Sequence, residues 1–334
     1  MKSYLLSPDK LLDFIKELSR DGSLYYPAHE DGKTHLVKFD ENIPFTPNFL
    51  KIRTAENIKH FFFPSRDTVA RFPKDEIKPV PKSYLFGVKN CDLRGIDVYD
   101  RVFMGWEPVD PFYRERRDKI FVISADCPEP EDSCFCNLLG LNPYGDGISD
   151  LNFTEVSNGM LFEAFTKRGE ELIRAYKHFF IDGKEEDEKE RSVLREKAIK
   201  KLSSINSKPF KKDLTERVEA ADKKRIRDAR DECVECHACL HGCPTCYCFL
   251  LGDYKKGKDV ERVRLWDACY YAAYARVGGG ANPRSRLDER FWNRFLCKFN
   301  YFNKYEKIYA CSGCGRCLLG CSAKIDIREI LWDL

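Results

Sequence analysis

The hydrophobic pattern of the chain changes character twice. After Ser7-Pro8-Asp9, a helix-start signature of N-cap, proline and acid, Leu11, Leu12, Phe14, Ile15 and Leu18 share one helical face, and Asp21-Gly22 closes it. Leu24-Tyr25-Tyr26 and Thr34 to Phe39 predict a hairpin-like pair of strands. His60-Phe61-Phe62-Phe63-Pro64 is too apolar for an exposed loop and predicts a buried anchor. Tyr84 to Val88 and Ile120 to Ser124 are short apolar runs between polar residues. They predict buried, parallel strands, with a helix over Leu93 to Val102 between them. Asn152 to Ile181 predicts a strand or two and a helix carrying Phe162, Phe165, Leu172, Ile173 and Tyr176. Together these elements predict an α/β domain over 1–182.

From 183 to 230 the chain is dense in Lys, Arg, Glu and Asp, with sparse apolar residues. It reads as a helical connector, broken near Ser203 to Pro209, whose charges form a solvated face. Beyond it, Val263, Trp266, Ala268, Tyr271 and Tyr274 predict a helix over Val260 to Arg276, stopped at Gly278-Gly279-Gly280. Asn282-Pro283 predicts the start of another, running to about Tyr305 with Phe291, Trp292, Phe295 and Phe299. The expected second domain, 231–334, is therefore all-α and like an α-helical ferredoxin.

The chain has 334 residues, 43% hydrophobic and 33% charged, enough for a core and for about two domains. Its net charge of +3 is too balanced to imply a nucleic-acid partner. No stretch approaches the roughly 18 apolar residues of a membrane helix, and the start lacks the apolar core of a signal peptide. The 16 cysteines then change the picture. Without an export signal they point to metal ligands in a reducing cytoplasm, and to an anaerobic habitat, rather than to disulfides.

Cys233, Cys236, Cys239 and Cys243, followed by Pro244, match the C-x2-C-x2-C-x3-C-P run of iron–sulfur cubanes. Cys311, Cys314, Cys317 and Cys321 repeat the spacing. In two-cluster ferredoxins the fourth cysteine ligates the other cube. Cys321 would then close the cluster of Cys233, Cys236 and Cys239, and Cys243 that of Cys311, Cys314 and Cys317. A pair of zinc sites is the alternative, although zinc ligands usually come as separated pairs. Cys91 and Cys127 each follow a predicted strand, where open α/β sheets bind ligands, and Cys134 and Cys136 lie in the same loop as Cys127. These four permit a third [4Fe–4S] cluster; the alternative is inert buried thiols. Asp92 and Asp126 stand beside two of them and could serve as an oxygen ligand or tune a potential, although such an Asp more often caps a helix or turn.

Little else suggests catalysis. His237 and His241 could donate to sulfur or face solvent, and Arg284, Arg286, Arg290 and Arg294 could meet an acidic partner, cluster sulfurs or water. No Walker loop, dinucleotide fingerprint or Ser/His/Asp spacing is present. Cys246, Cys248, Cys269 and Cys297 remain unassigned.

Several strings resemble one family: Asn90 to Arg94, Asp110 to Tyr113 with Arg116-Arg117, Cys134-Phe135-Cys136, Cys243 to Phe249, Trp266 to Cys269, and Gly279 to Arg284. It is the family that unites the sulfhydrogenase beta subunit with the iron–sulfur subunit of anaerobic sulfite reductase, and the resemblance covers the chain from about Phe61 onwards. It implies a non-catalytic electron-transfer subunit with two or three [4Fe–4S] clusters. Its partners would be a flavin subunit that handles NAD(P)H and a catalytic subunit bearing a nickel–iron site or a sirohaem. Cys321 is followed by Ser322 rather than proline, which departs from the run's usual ending. The competing expectation is an iron–sulfur enzyme with its own substrate site at an N-terminal cluster.

Overall fold

The computed structural model describes residues 2–50, 53–73 and 79–334. Its strands are β1 (Ser3–Leu6), β2 (Ser23–Glu30), β3 (Lys33–Lys38), β4 (Arg66–Phe72), β5 (Ser83–Val88), β6 (Ile120–Ala125), β7 (Leu151–Val156), β8 (Gly159–Ala164), β9 (Phe180–Asp182), β10 (Phe249–Lys256) and β11 (Asp259–Trp266). Among the described residues, eight form one sheet in the order β3-β2-β5-β6-β7-β8-β1-β9. Its centre, β2-β5-β6-β7, is parallel, as the apolar runs predict, and its edges are antiparallel. The sheet is thus mixed.

Both faces are covered, which is why β5 and β6 are buried throughout and mostly apolar. On one face Phe14, Ile15 and Leu18 of the Pro8–Asp21 helix pack with Phe86, Phe153 and Phe162. On the other, Leu93, Ile96 and Tyr99 of the Asn90–Phe103 helix join Leu85 and Val122. Phe62 and Phe63 are buried there too, as the anchor reading expects. Phe162 lies in β8 and not on a helix; the helix of this region is Lys167–Ala175. The charged stretch folds as helices Glu185–Ile205, Leu214–Ala220 and Lys223–Arg230.

The all-α expectation for the C-terminal region is overturned. Val260 to Arg276 is not a helix: β10 and β11 form an antiparallel hairpin, and β11 pairs with β4. This three-stranded sheet ties the cysteine-rich region to the N-terminal one. The helix expected from Asn282 begins instead at Leu287, runs to Phe295 and continues as a π-helix over Leu296–Tyr301. Asn282 caps only a tight turn, its side-chain oxygen accepting from the Arg284 amide at 3.0 Å.

Two buried ion networks join the regions. Arg264 of β11 pairs with Asp67 at 2.9 Å and with Asp110, and Arg116 holds both oxygens of Asp67. Arg316 holds both oxygens of Asp92, at 2.8 and 3.0 Å, and donates to the carbonyls of Thr54 and Glu56.

Candidate iron–sulfur centres

Each four-cysteine run folds the same way. The residue two after its first cysteine and the residue just after its second have positive φ: Glu235 (51°) and His237 (59°), then Gly313 (62°) and Gly315 (75°). These left-handed kinks turn three sulfurs inward, and a short helix follows, Ala238–His241 in one run and Arg316–Leu319 in the other. Glycine adopts that conformation freely, whereas Glu235 and His237 each store on the order of 1–3 kcal/mol there. Gly315 has a further reason to lack a side chain. A Cβ would come within 2.2 Å of the Ser133 carbonyl oxygen, so the second run lies backbone to backbone on the loop of Cys134 and Cys136. Phe135 donates its amide to the Gly313 carbonyl at 2.8 Å.

Three of the cysteines of the first run, Cys233, Cys236 and Cys239, line a small cavity together with Cys317 and Cys321 of the second. Arg294 lines it as well. Its side chain is 4% exposed, and its Nε has no protein partner. Burial opposes its charge, but the Cys239 and Cys317 sulfurs hold its pKa above the usual arginine value.

Around Cys243 the second run closes. Cys311 and Cys317 each feel Cys243 and Cys314, and burial pushes their thiols up to about 11 and about 12. The buried Lys298 Nζ lies 3.3 Å from Cys243 Sγ and donates to Thr245 Oγ1 (2.9 Å) and the Ala310 carbonyl (3.0 Å). Cys91, Cys127, Cys134 and Cys136 line another small cavity, for a possible third set, together with Cys314. Arg53 Nη1 is 3.4 Å from Cys134 Sγ, and burial pushes Cys127 up to about 11 against the pull of Lys89. Asn90, on the same wall, keeps its buried Oδ1 without a partner.

Asp92 and Asp126 are committed elsewhere: Asp92 to Arg316, and Asp126 to Arg195 and the hydroxyl of Thr154. His241 meets the Tyr271 hydroxyl at 3.0 Å rather than a sulfur, while His237 lines the first cavity. The sequence reading missed Lys298 and Lys59 and left Arg294 among several options. The signal was present: Arg290, Arg294 and Lys298 recur every four residues beside Phe291, Trp292, Phe295 and Phe299, so the stripe shares an apolar helix.

These sets fit iron–sulfur cubes. Each offers four thiolates, and the buried cations, with an unpaired Arg294 Nε, match the negative charge that thiolate-ligated clusters carry.

Residues 232–325 match the model of the 4Fe–4S dicluster domain. The chain is also 31% identical over 339 residues to sulfhydrogenase 2 subunit beta of Pyrococcus furiosus, covering 99% of this chain and 98% of that protein. The chain belongs to the sulfhydrogenase beta subunit family. Within that family its likeness spans the N-terminal sheet as well, further than the stretch from Phe61 that the motifs mark. As a family member it is an iron–sulfur protein with a [4Fe–4S] dicluster domain. Among the described residues no helix is long and apolar enough to cross a membrane.

Proposed function

We propose that the chain is the electron-relay subunit of a hetero-oligomeric oxidoreductase, holding three [4Fe–4S] clusters in a row. Cys233, Cys236, Cys239 and Cys321 would hold the first, Cys311, Cys314, Cys317 and Cys243 the second, and Cys91, Cys127, Cys134 and Cys136 the third. When bound, a cube closed by four thiolates exchanges single electrons and binds no substrate. The observation that carries the reading is contiguity. Cys317 lies on the wall of the first cavity and Cys314 on that of the third, so the second run abuts both of its neighbours.

The protein's own part is to place and tune these stations. Arg294 and Lys298 put buried positive charge beside the sulfurs of the two runs, and Arg53 and Lys89 do so in the third cavity. Burial keeps water from Cys134, Cys243, Cys311 and Cys314, whereas Cys236 is exposed. On this reading one end of the row meets a flavin subunit oxidising NAD(P)H, and the other end meets a catalytic subunit. Full-length likeness to a sulfhydrogenase beta subunit favours a nickel–iron partner over a sirohaem one.

The test is reduction of the anaerobically purified chain, alone and within its native complex. At least about twelve irons per chain are expected, three cubes' worth. NAD(P)H should reduce the clusters only in the complex. Fewer than about eight irons, or turnover of NAD(P)H by the isolated chain, would overturn the relay reading.

A further inference from the structure

The four cysteines outside these sets also gather. Cys246 and Cys248 flank Tyr247 in the loop entering β10, and Cys269 follows β11 by three residues. The hairpin closes this loop on itself. Phe249 pairs with Trp266, the Asp267 amide donates to the Cys248 carbonyl at 3.0 Å, and the Cys248 and Cys269 thiols are hydrogen-bonded. Cys297 comes from the π-helix, a form that is rare and concentrated at functional sites. It shares electrostatic contact with Cys248 and Cys269, and Cys246 touches Cys243.

The surroundings are those of an anion. The Tyr274 hydroxyl donates to Cys248 Sγ at 3.3 Å, and the Tyr247 hydroxyl lies 3.6 Å from Cys297 Sγ. Lys59 is 3% exposed, sits 3.7 Å from the Trp266 ring and reaches the Cys246 carbonyl at 3.5 Å. Lys298 is equally buried but already lies against Cys243 of the second run. Among the described residues Lys59 meets no carboxylate. A buried ammonium with no counter-charge is costly. A thiolate-ligated cluster held beside it by Cys246 supplies that counter-charge.

We infer that Cys246, Cys248, Cys269 and Cys297 hold a further iron–sulfur cluster, placed at the base of the β10–β11 hairpin and next to the second cysteine run. Four cysteines suit either a [4Fe–4S] or a [2Fe–2S] core. Each thiol gives up its proton to solvent as it takes iron. Tyr247 also lines an open groove with Trp106, Tyr301 and Tyr305, so this site lies one side chain beneath the surface.

The experiment compares the full chain, purified without oxygen, as wild type, Cys269→Ala, Cys297→Ala and Cys91→Ala, by native mass spectrometry and iron analysis. Cys269→Ala and Cys297→Ala should each yield a species lighter by one cluster, a loss of about two to four irons per chain. The loss from Cys91→Ala should add to it in the double variant, because that cluster is separate. Cys297 is only half buried, so its replacement keeps the fold testable should Cys269→Ala fail to accumulate. Unchanged iron in Cys297→Ala, or a wild-type mass showing a Cys248–Cys269 disulfide, would overturn the inference. Neither result touches the first three sets, and the loss of the third is read independently in Cys91→Ala.

Discussion

Arg294 shows how much one side chain decides. It is buried, its Nε lacks a protein partner, and it faces sulfurs of both cysteine runs. A buried positive charge favours the reduced, more negative state of any cluster it faces. Replacing Arg294 with Leu should therefore lower a midpoint potential by tens of millivolts in an EPR-monitored titration, and Arg294→Lys should restore part of it. An unmoved potential would place the guanidinium's role in packing alone. The cysteines themselves were legible from the sequence, because their spacing is local. Of the cations that answer them, Arg294 and Lys298 left a trace in their four-residue spacing, whereas Lys59 reaches the Cys246 carbonyl from a distant element with no fixed spacing. Asp92 was ambiguous for the same reason: its partner, Arg316, stands more than two hundred residues away.

At the scale of elements, the β10–β11 hairpin carries the greatest consequence. Its attachment to β4 runs through Arg264, whose side chain is 3% exposed between Asp67 and Asp110. Arg264→Ala leaves those carboxylates short of a buried partner and should destabilise the chain by about 3–5 kcal/mol, read from a denaturant midpoint. Lysine should rescue it poorly, since it cannot fork between two acids. The parallel centre of the large sheet was readable because strands covered on both faces are apolar without interruption. The hairpin was not. Val260, Val263 and Trp266 fall three apart and mimic a helix, although Val260 is exposed and only Val263 of the three is buried. Nearly every β10 side chain is exposed, which removes the alternation that marks a strand. Gly257 in the two-residue loop, with φ of 65°, was the remaining clue.

Across the whole molecule, buried thiols couple cluster loading to acidity. Burial pushes Cys127 and Cys311 up to about 11 and Cys317 to about 12, so they are neutral at pH 7 before iron binds. Ligation needs thiolates, so the loaded state holds fewer protons than the empty one and gains as pH rises towards those values. The iron needed for half-maximal reconstitution of the apoprotein should fall at least about tenfold from pH 7 to pH 8, and a flat profile would contradict the role of these thiols. The same cavities carry a consequence for biosynthesis. Cys321, on the wall with Cys233, Cys236 and Cys239, comes long after them in the chain, and the second run rests on the loop of Cys134 and Cys136. On the proposed ligand set, a nascent chain therefore presents Cys233, Cys236 and Cys239 well before the thiol that completes their centre is made. Iron delivered in that interval would meet an incomplete set of thiols.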